Sequence, residues 1–246
     1  MTHHKVAVVT GAGRGIGVAI AERLATDGFA VAVNYSRSAD GAHEVVRRIT
    51  DAGGRAAAIA ADISDVDQAR HLVERTGQVL GDPTVLINNA GVNRSGSVRA
   101  LSPPDWDAVL AVNLSGAYYC THFALPAMYA AGWGRVVFVT SPAGGRRVAA
   151  GTSAYSAAKA GLLGLARSLA IETSGRGITA NAVMPGFVPT DIVASGGDAA
   201  VETLTRTWPS ILPDSIASTV SFLVSEQGAD ISGEEIGVWR GGPGRI

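Results

Sequence analysis

Lysine is almost absent from this 246-residue chain: its 20 basic residues are 18 arginines and two lysines, Lys5 and Lys159. A lysine that falls in a patterned position therefore carries more weight than it would in an ordinary chain. Cysteine is represented once, by Cys120, which excludes an intrachain disulfide and predicts a cytoplasmic setting. No unbroken apolar stretch reaches 18 residues, so no transmembrane helix is expected. The N-terminus, Met1-Thr2-His3-His4-Lys5, leads directly into a strand-like run and leaves no room for a secretory signal. His3 and His4 read as a solvated terminus, and no metal is expected. A charge imbalance is also missing. With net charge −1 and a pI of about 6.5, bulk electrostatics provide no footprint for nucleic acid or a membrane surface. There is no linker of disordered composition and no internal repeat, so residues 1–246 are expected to form one domain.

What the chain does have is apolar residues, 47% of the total, enough for a large core. They come in short runs that alternate with helix-length amphipathic segments. Strands are predicted at 5–10, 30–34, 56–61, 84–88, 135–140, 179–184 and 235–239. Helices are predicted at 16–27, 40–52, 65–80 after a Ser64 cap, 105–131 in two parts, 153–172 and 214–225. The strands are continuously apolar rather than alternating. That is the pattern of a parallel sheet covered on both faces, an α/β doubly wound, Rossmann-type fold. Ligands in such sheets sit beyond the carboxyl ends of the strands.

The first strand ends in Thr10-Gly11-Ala12-Gly13-Arg14-Gly15-Ile16-Gly17. Gly11, Gly15 and Gly17 would let the backbone turn sharply, approach a pyrophosphate and pack the following helix against the strand, while that helix offers N–H groups and a positive dipole to phosphates. The second strand should end beside the adenosine ribose. An acid there would select NAD, but the chain reads Asn34, Tyr35, Ser36, Arg37, with no acid before Asp40. Arg14 and Arg37 are placed to flank a 2′-phosphate, so NADP(H) is expected over NAD(H). After the third strand, Asp62 and Ile63 either hold an adenine or merely approach the next helix. After the fourth, Asn88, Asn89, Ala90 and Gly91 either brace the sheet or shape the cofactor floor.

The fifth strand ends in Thr140-Ser141, and fourteen residues after Ser141 comes Tyr155-Ser156-Ala157-Ala158-Lys159. On a helix Tyr155 and Lys159 share one face a turn apart. The ammonium is expected to draw the phenol below its usual value near 10, making Tyr155 an acid/base for a carbonyl or alcohol. Ser141 would bond the same substrate oxygen, and Lys159 would also reach the cofactor ribose.

Taken together these segments resemble the short-chain dehydrogenase/reductase family over essentially the whole chain. Thr10 to Gly17 corresponds to its glycine loop, Asn88 to Gly91 to its N-N-A-G, and Tyr155 to Lys159 to its Y-x-x-x-K. The resemblance implies that Asn113, in Val112-Asn113-Leu114-Ser115-Gly116, kinks a helix and binds a water of the proton relay. It also implies that Pro185, Gly186, Val188 and Thr190 touch the nicotinamide end. It further implies a homotetramer in which the helices of Asn113 and Tyr155 pair across subunits, and a substrate lid over 191–213 with Ser195-Gly196-Gly197 as hinge and Trp208 as apolar wall.

Two departures stand out. Counting back from Tyr155 by the commonest family spacing lands on Pro142. Proline cannot donate, so Ser141 is the expected catalytic serine, with one extra residue in the loop 144–151. The tail Val238-Trp239-Arg240-Gly241-Gly242 replaces a more usual acidic ending. Among family members the pattern is closest to 3-oxoacyl thioester reductases. Arg176 matches one basic position expected to meet an acyl carrier protein, whereas Gly132-Trp133 replaces the other. Arg94, Arg146 and Arg147 are candidates for an anionic or phosphate-bearing substrate. The expected partner is a small carbonyl or alcohol, with an acyl thioester as one form. Alternatives are a small, cyclic, polyketide or steroid-like ketone, and a catalytically silent NADP-binding sensor.

Overall fold

Hydrophobic strand residues point alternately to two helical layers, and that alternation organises the molecule. The computed structural model of the chain describes residues 5–190 and 198–240. Seven strands form one parallel sheet in the order β3-β2-β1-β4-β5-β6-β7. They are β1 (Val6–Val9), β2 (Ala30–Tyr35), β3 (Arg55–Ala60), β4 (Pro83–Asn88), β5 (Gly134–Val139), β6 (Ile178–Pro185) and β7 (Glu235–Val238). In β1 and β2, Ala7, Val9, Val31 and Val33 face one layer, while Val8 and Ala32 face the other. The first layer is closed by α1 (Gly15–Thr26), α2 (Ala39–Asp51) and α8 (Pro213–Val224), through Ile20, Leu24, Val45, Ile49, Ile216 and Leu223. The second is closed by α3 (Val66–Val79), α5 (Gly116–Ala131) and α6 (Ser153–Glu172), through Leu72, Cys120, Met128, Leu162 and Leu169. With both faces covered, β1, β5 and β6 are buried along their full lengths.

The chain winds outward from β1 to β3, then crosses back to β4 and winds the other way. The switch point therefore lies between β1 and β4, where the diverging connections leave a crevice above the strand ends. Among the described residues no helix is long and apolar enough to cross a membrane.

Several local features differ from the sequence reading. The cap of α3 is Asp65, not Ser64. Its carboxylate accepts from the amides of Asp67 and Gln68 at 3.0 Å, whereas Ser64 is taken up by Asp62. The next helix begins earlier than Asp105: Ser102 accepts from the Asp105 amide and Pro103 opens α4 (Pro103–Leu110), where a missing N–H costs nothing. The junction between the two parts of the 105–131 segment is a π-helical turn, Ala111–Ser115, closed by the bond from Gly116 N–H to Ala111 C=O. A helix not foreseen, α7 (Asp198–Thr207), lies within the lid segment. The proposed hinge Ser195-Gly196-Gly197, the tail from Gly241 and the terminal His3 and His4 fall outside the described residues.

Candidate functional site

The glycine loop is built by its neighbours as much as by its own sequence. Gly11 and Gly15 adopt left-handed φ of 62° and 56°, which side-chain-bearing residues rarely tolerate. A Cβ on Gly17 would lie 2.6 Å from Gly11 C=O and 2.7 Å from Asn89 Nδ2, and one on Gly13 would lie 2.7 Å from Ser38 C=O. Asn89 Nδ2 donates to Thr10 C=O and Gly11 C=O at 2.9 and 3.2 Å, tying the end of β4 to the loop. The opposite side is held by Asn34, which is 2% exposed. Its Oδ1 accepts from Gly11 N–H at 3.2 Å, and its Nδ2 donates to Ala61 C=O and Ile59 C=O at 3.1 and 3.3 Å. The N-cap residue of α1, Arg14, makes no side-chain cap bond, and Gly11, Gly15 and Ile16 of this turn line the crevice.

The crevice is a cleft of about 630 Å³. The structure places most of the sequence-selected residues on its wall: Gly11, Arg14, Gly15 and Ile16 at the glycine loop, with Tyr35, Ser36 and Arg37 after β2. Asp62 and Ile63 line it after β3, and Asn89, Ala90 and Gly91 after β4. Ser141, Tyr155 and Lys159 line the far part, with Pro185, Gly186, Val188 and Thr190 after β6. Arg14, Ser36 and Arg37 are exposed there, and Asp40 does not line the cleft. Asp62 Oδ1 accepts from the amide and hydroxyl of Ser64, so one carboxylate oxygen shapes the turn into α3 while the residue still faces the cleft.

Gly17 and Asn113 stand behind the wall. Gly17 is packed under the loop. Asn113, 1% exposed in the π turn, accepts from Val92 N–H at 2.9 Å and donates to Val92 C=O at 2.7 Å. Its amide thus holds the segment after β4, and the cleft-facing member of that turn is Val112. The sequence reading also passed over Gly13, Asn34, Ser38, Ala61, Val92, Val139 and Thr140 as cleft residues. For Asn34 a signal existed: one amide in an otherwise Val/Ala strand must find buried partners.

At the far end, burial raises the Tyr155 phenol's pKa, and the Ser141 hydroxyl beside it pulls the other way without reversing the direction. The expected pull of Lys159 on the phenol is not what governs it. The ammonium lies 5.6 Å from the Tyr155 ring centroid and donates to Val139 C=O at 2.8 Å. Burial in turn pushes the Lys159 ammonium down to about 8. Tyr155 and Lys159 are thus shifted in opposite directions by the same cause, burial. The Ser141 hydroxyl accepts from Ala143 N–H at 3.3 Å and opens a 3₁₀ turn, Pro142–Gly144, whose Pro142 is buried.

The remaining arginines are drawn away from the cleft. Arg94 pairs with Asp105 at 3.2 Å and Arg146 with Glu235 at 3.3 Å, and neither these nor Arg147 lines it. Trp208 is nearly buried, with its ring 6.1 Å from that of Trp239, and it does not line the cleft either. Arg176 lies over Tyr129, its guanidinium 5.8 Å from the ring centroid, at the opposite end of the sheet. There Trp133 sits between Lys5 and Arg135, 3.7 and 4.4 Å from its centroid.

The fold and sequence are shared with known proteins. The profile of the family described as short chain dehydrogenase matches residues 5–200. The chain is 37% identical over 237 residues to a 3-oxoacyl-[acyl-carrier-protein] reductase of Staphylococcus aureus, covering 95% of this chain and 96% of that one. A short chain dehydrogenase from Burkholderia cenocepacia J2315, solved in complex with NADP, superimposes with a TM-score of 0.89 at 39% identity, covering 95% of this chain and 96% of that one. The angucycline C-6 ketoreductase LanV, solved with bound NADP, gives 0.88 at 33%, covering 96% of each chain.

Proposed function

The chain belongs to the short-chain dehydrogenase/reductase family of NAD(P)-dependent oxidoreductases, and from that premise we propose that it is an NADP(H)-dependent reductase that converts a ketone to a secondary alcohol. The observation that carries this reading is the grouping of Ser141, the half-buried Tyr155 and the buried Lys159 at the end of a cleft that begins at the glycine loop. The residues fit a dinucleotide along that length. The N-terminus of α1 would receive the pyrophosphate, Asp62 and Ile63 the adenine, and Pro185, Gly186, Val188 and Thr190 the nicotinamide. The exposed Arg14 and Arg37, together with the absence of an acid at the end of β2, favour a 2′-phosphate. The relatives solved with NADP support the same choice.

When bound, the nicotinamide supplies a hydride to the carbonyl carbon. Tyr155 donates its phenolic proton to the carbonyl oxygen as charge develops there, contributing roughly 10²–10⁴-fold. Ser141 donates its hydroxyl proton in a hydrogen bond to the same oxygen. Lys159, anchored by Val139 C=O, keeps its remaining ammonium hydrogens for the ribose, and solvent supplies the proton that restores the phenol. Asn113 acts by fixing Val92 beside this end of the cleft.

A 3-oxoacyl thioester is the first substrate class to test, in line with the Staphylococcus aureus relative. A small or cyclic neutral ketone is the second reading. It is favoured by the pairing of Arg94 and Arg146 with acids, which removes two of the three cations offered to an anionic substrate. The homotetramer belongs to the same proposal: Leu114, Ser115, Tyr118, Tyr119 and Leu165 form a shallow depression on the α5/α6 face, where a paired helix would seat.

The test is NADPH oxidation with a panel of 3-oxoacyl thioesters and neutral ketones, run on the wild type and on Tyr155→Phe. Turnover that falls at least about 100-fold in the variant while NADPH binding persists supports the reading. A wild-type protein that binds NADPH but reduces nothing on the panel would instead favour a sensor.

A further inference from the structure

The turn that carries Ser141 is bracketed by two residues that converge on one carboxylate. Thr140 immediately precedes Ser141, and its hydroxyl sits between Val183 C=O at 3.2 Å and Glu235 Oε1 at 3.3 Å. Arg146 follows the turn, and its Nε donates to Glu235 Oε2 at 3.3 Å. Glu235 sits on the edge strand β7, opposite Ala182 of β6, and its side chain is only 10% exposed. Between the two anchors the backbone folds on itself: Gly144 N–H donates to Ser141 C=O at 2.9 Å and Arg147 N–H to Pro142 C=O at 2.6 Å. The turn also lies against the Tyr155 helix, since a Cβ on Gly144 would stand 2.9 Å from the Lys159 carbonyl carbon. Gly145, with φ of 139°, is the free joint of the loop. A second anchor beyond this joint ties the loop after Gly145 to the same carboxylate that Thr140 meets before Ser141.

The same carboxylate connects to the other walls. Arg146 lies 5.7 Å from the Trp239 ring centroid, and Trp239 follows β7 and packs so closely on Gly186 that a Cβ there would meet its side chain at 2.6 Å. Trp239 in turn contacts Trp208, which follows α7.

We infer that Glu235 is a positioning residue for the Ser141 hydroxyl: by holding Thr140 and Arg146 together it fixes the turn from both ends and registers it against Tyr155. The charge of Arg146 is thereby used for loop geometry and not for substrate. This inference rests on the reading of Ser141 as part of the reductase site.

The test combines kinetics with a readout that needs no substrate. In hydrogen–deuterium exchange on the full-length protein, the peptide covering residues 140–150 should exchange faster in Glu235→Ala than in wild type. Peptides of β1 and the glycine loop should be unchanged. With whichever ketone the panel identifies, Glu235→Ala should lower kcat about tenfold or more, given that a misplacement of about 1 Å costs up to 10²-fold. KM and NADPH affinity should stay within about twofold. Glu235→Gln, which keeps an acceptor for Thr140, should fall between the two. Arg146→Lys should retain most of the kcat that Arg146→Ala loses. The double variant Glu235→Ala/Arg146→Ala should be no slower than Glu235→Ala alone, because both act through one contact. Unchanged exchange across 140–150, or loss of NADPH affinity in parallel with kcat, overturns the inference. Should wild-type protein reduce no ketone, the reductase reading fails, and the exchange result still decides whether Glu235 holds the turn.

Discussion

Replacing Asn34 with aspartate keeps the shape of a side chain that is 2% exposed and changes what its second atom can do. In the wild type, Oδ1 accepts from Gly11 N–H while Nδ2 donates to the carbonyls of Ala61 and Ile59 at 3.1 and 3.3 Å. In Asn34→Asp the first bond survives. The second atom becomes an acceptor facing two carbonyls, in a place where water is excluded. Two lost bonds and an uncompensated buried charge together cost about 3 kcal/mol at neutral pH. For a chain of this size that is a drop in Tm of roughly 6 to 12 °C. The sign with pH follows from burial, which raises the new carboxyl's folded-state pKa above the unfolded value near 3.9. Below about pH 4 both states are protonated and the deficit is smallest. As pH rises the unfolded chain ionises first, and the deficit grows by about 1.4 kcal/mol per unit until the folded-state pKa is passed, then levels off. Asn34→Ala, which introduces no charge, should show a deficit that does not change with pH. Differential scanning calorimetry of the three proteins at pH 5 and pH 8 reads all of this. The variant should also gain no preference for NADH, because the carboxylate points into the clamp and not toward a ribose. A Tm for Asn34→Asp within 2 °C of wild type at pH 8, or a switch to NADH, would refute the reasoning.

Gly17→Ala places a methyl 2.6 Å from Gly11 C=O, so the glycine loop must shift. NADPH affinity, measured by fluorescence titration, should weaken at least about tenfold, and wild-type affinity would contradict the packing argument. Lys159→Met tests the burial of the ammonium. The pKa is about 8 in the fold against 10.5 for an ordinary lysine, so the unfolded chain binds the proton more tightly and the charge destabilises the fold below about pH 8. The variant should melt a few degrees higher than wild type at pH 7, with the difference shrinking from about pH 8 and gone only above 10.5, and show no turnover; a lower Tm at pH 7 would go against the sign. Trp133→Ala removes the ring shared by Lys5 and Arg135 and a contact of the first core layer. It should cost about 3–5 kcal/mol in thermal unfolding yet leave NADPH affinity unchanged, because it lies at the far end of the sheet from the cleft.

Some of this molecule was legible in its residues taken in order. Continuous Val/Ala runs separated by helical spacing specify a parallel sheet covered on both sides, because period and burial are local properties of a segment. The glycine loop after β1 and the one-turn spacing of Tyr155 and Lys159 are local in the same sense. The tertiary structure decided what depends on partners distant in sequence. Ser141 is preferred over Pro142 in the sequence itself because proline cannot donate; what the fold adds is that Ser141 lines the cleft while Pro142 is buried in the turn. Asn34 looked like a gap where an acid might have stood; the register of β2 against β3 makes it the clamp of the glycine loop. Asn113 faces Val92 instead of the cleft because the π turn sets its direction. Arg146 read as a cation for substrate, but its acid lies 89 residues away and reaches it only because β7 pairs with β6. Burial, too, belongs to the assembled fold: the lysine expected to lower the tyrosine is itself pushed down, and the tyrosine up, by being enclosed together.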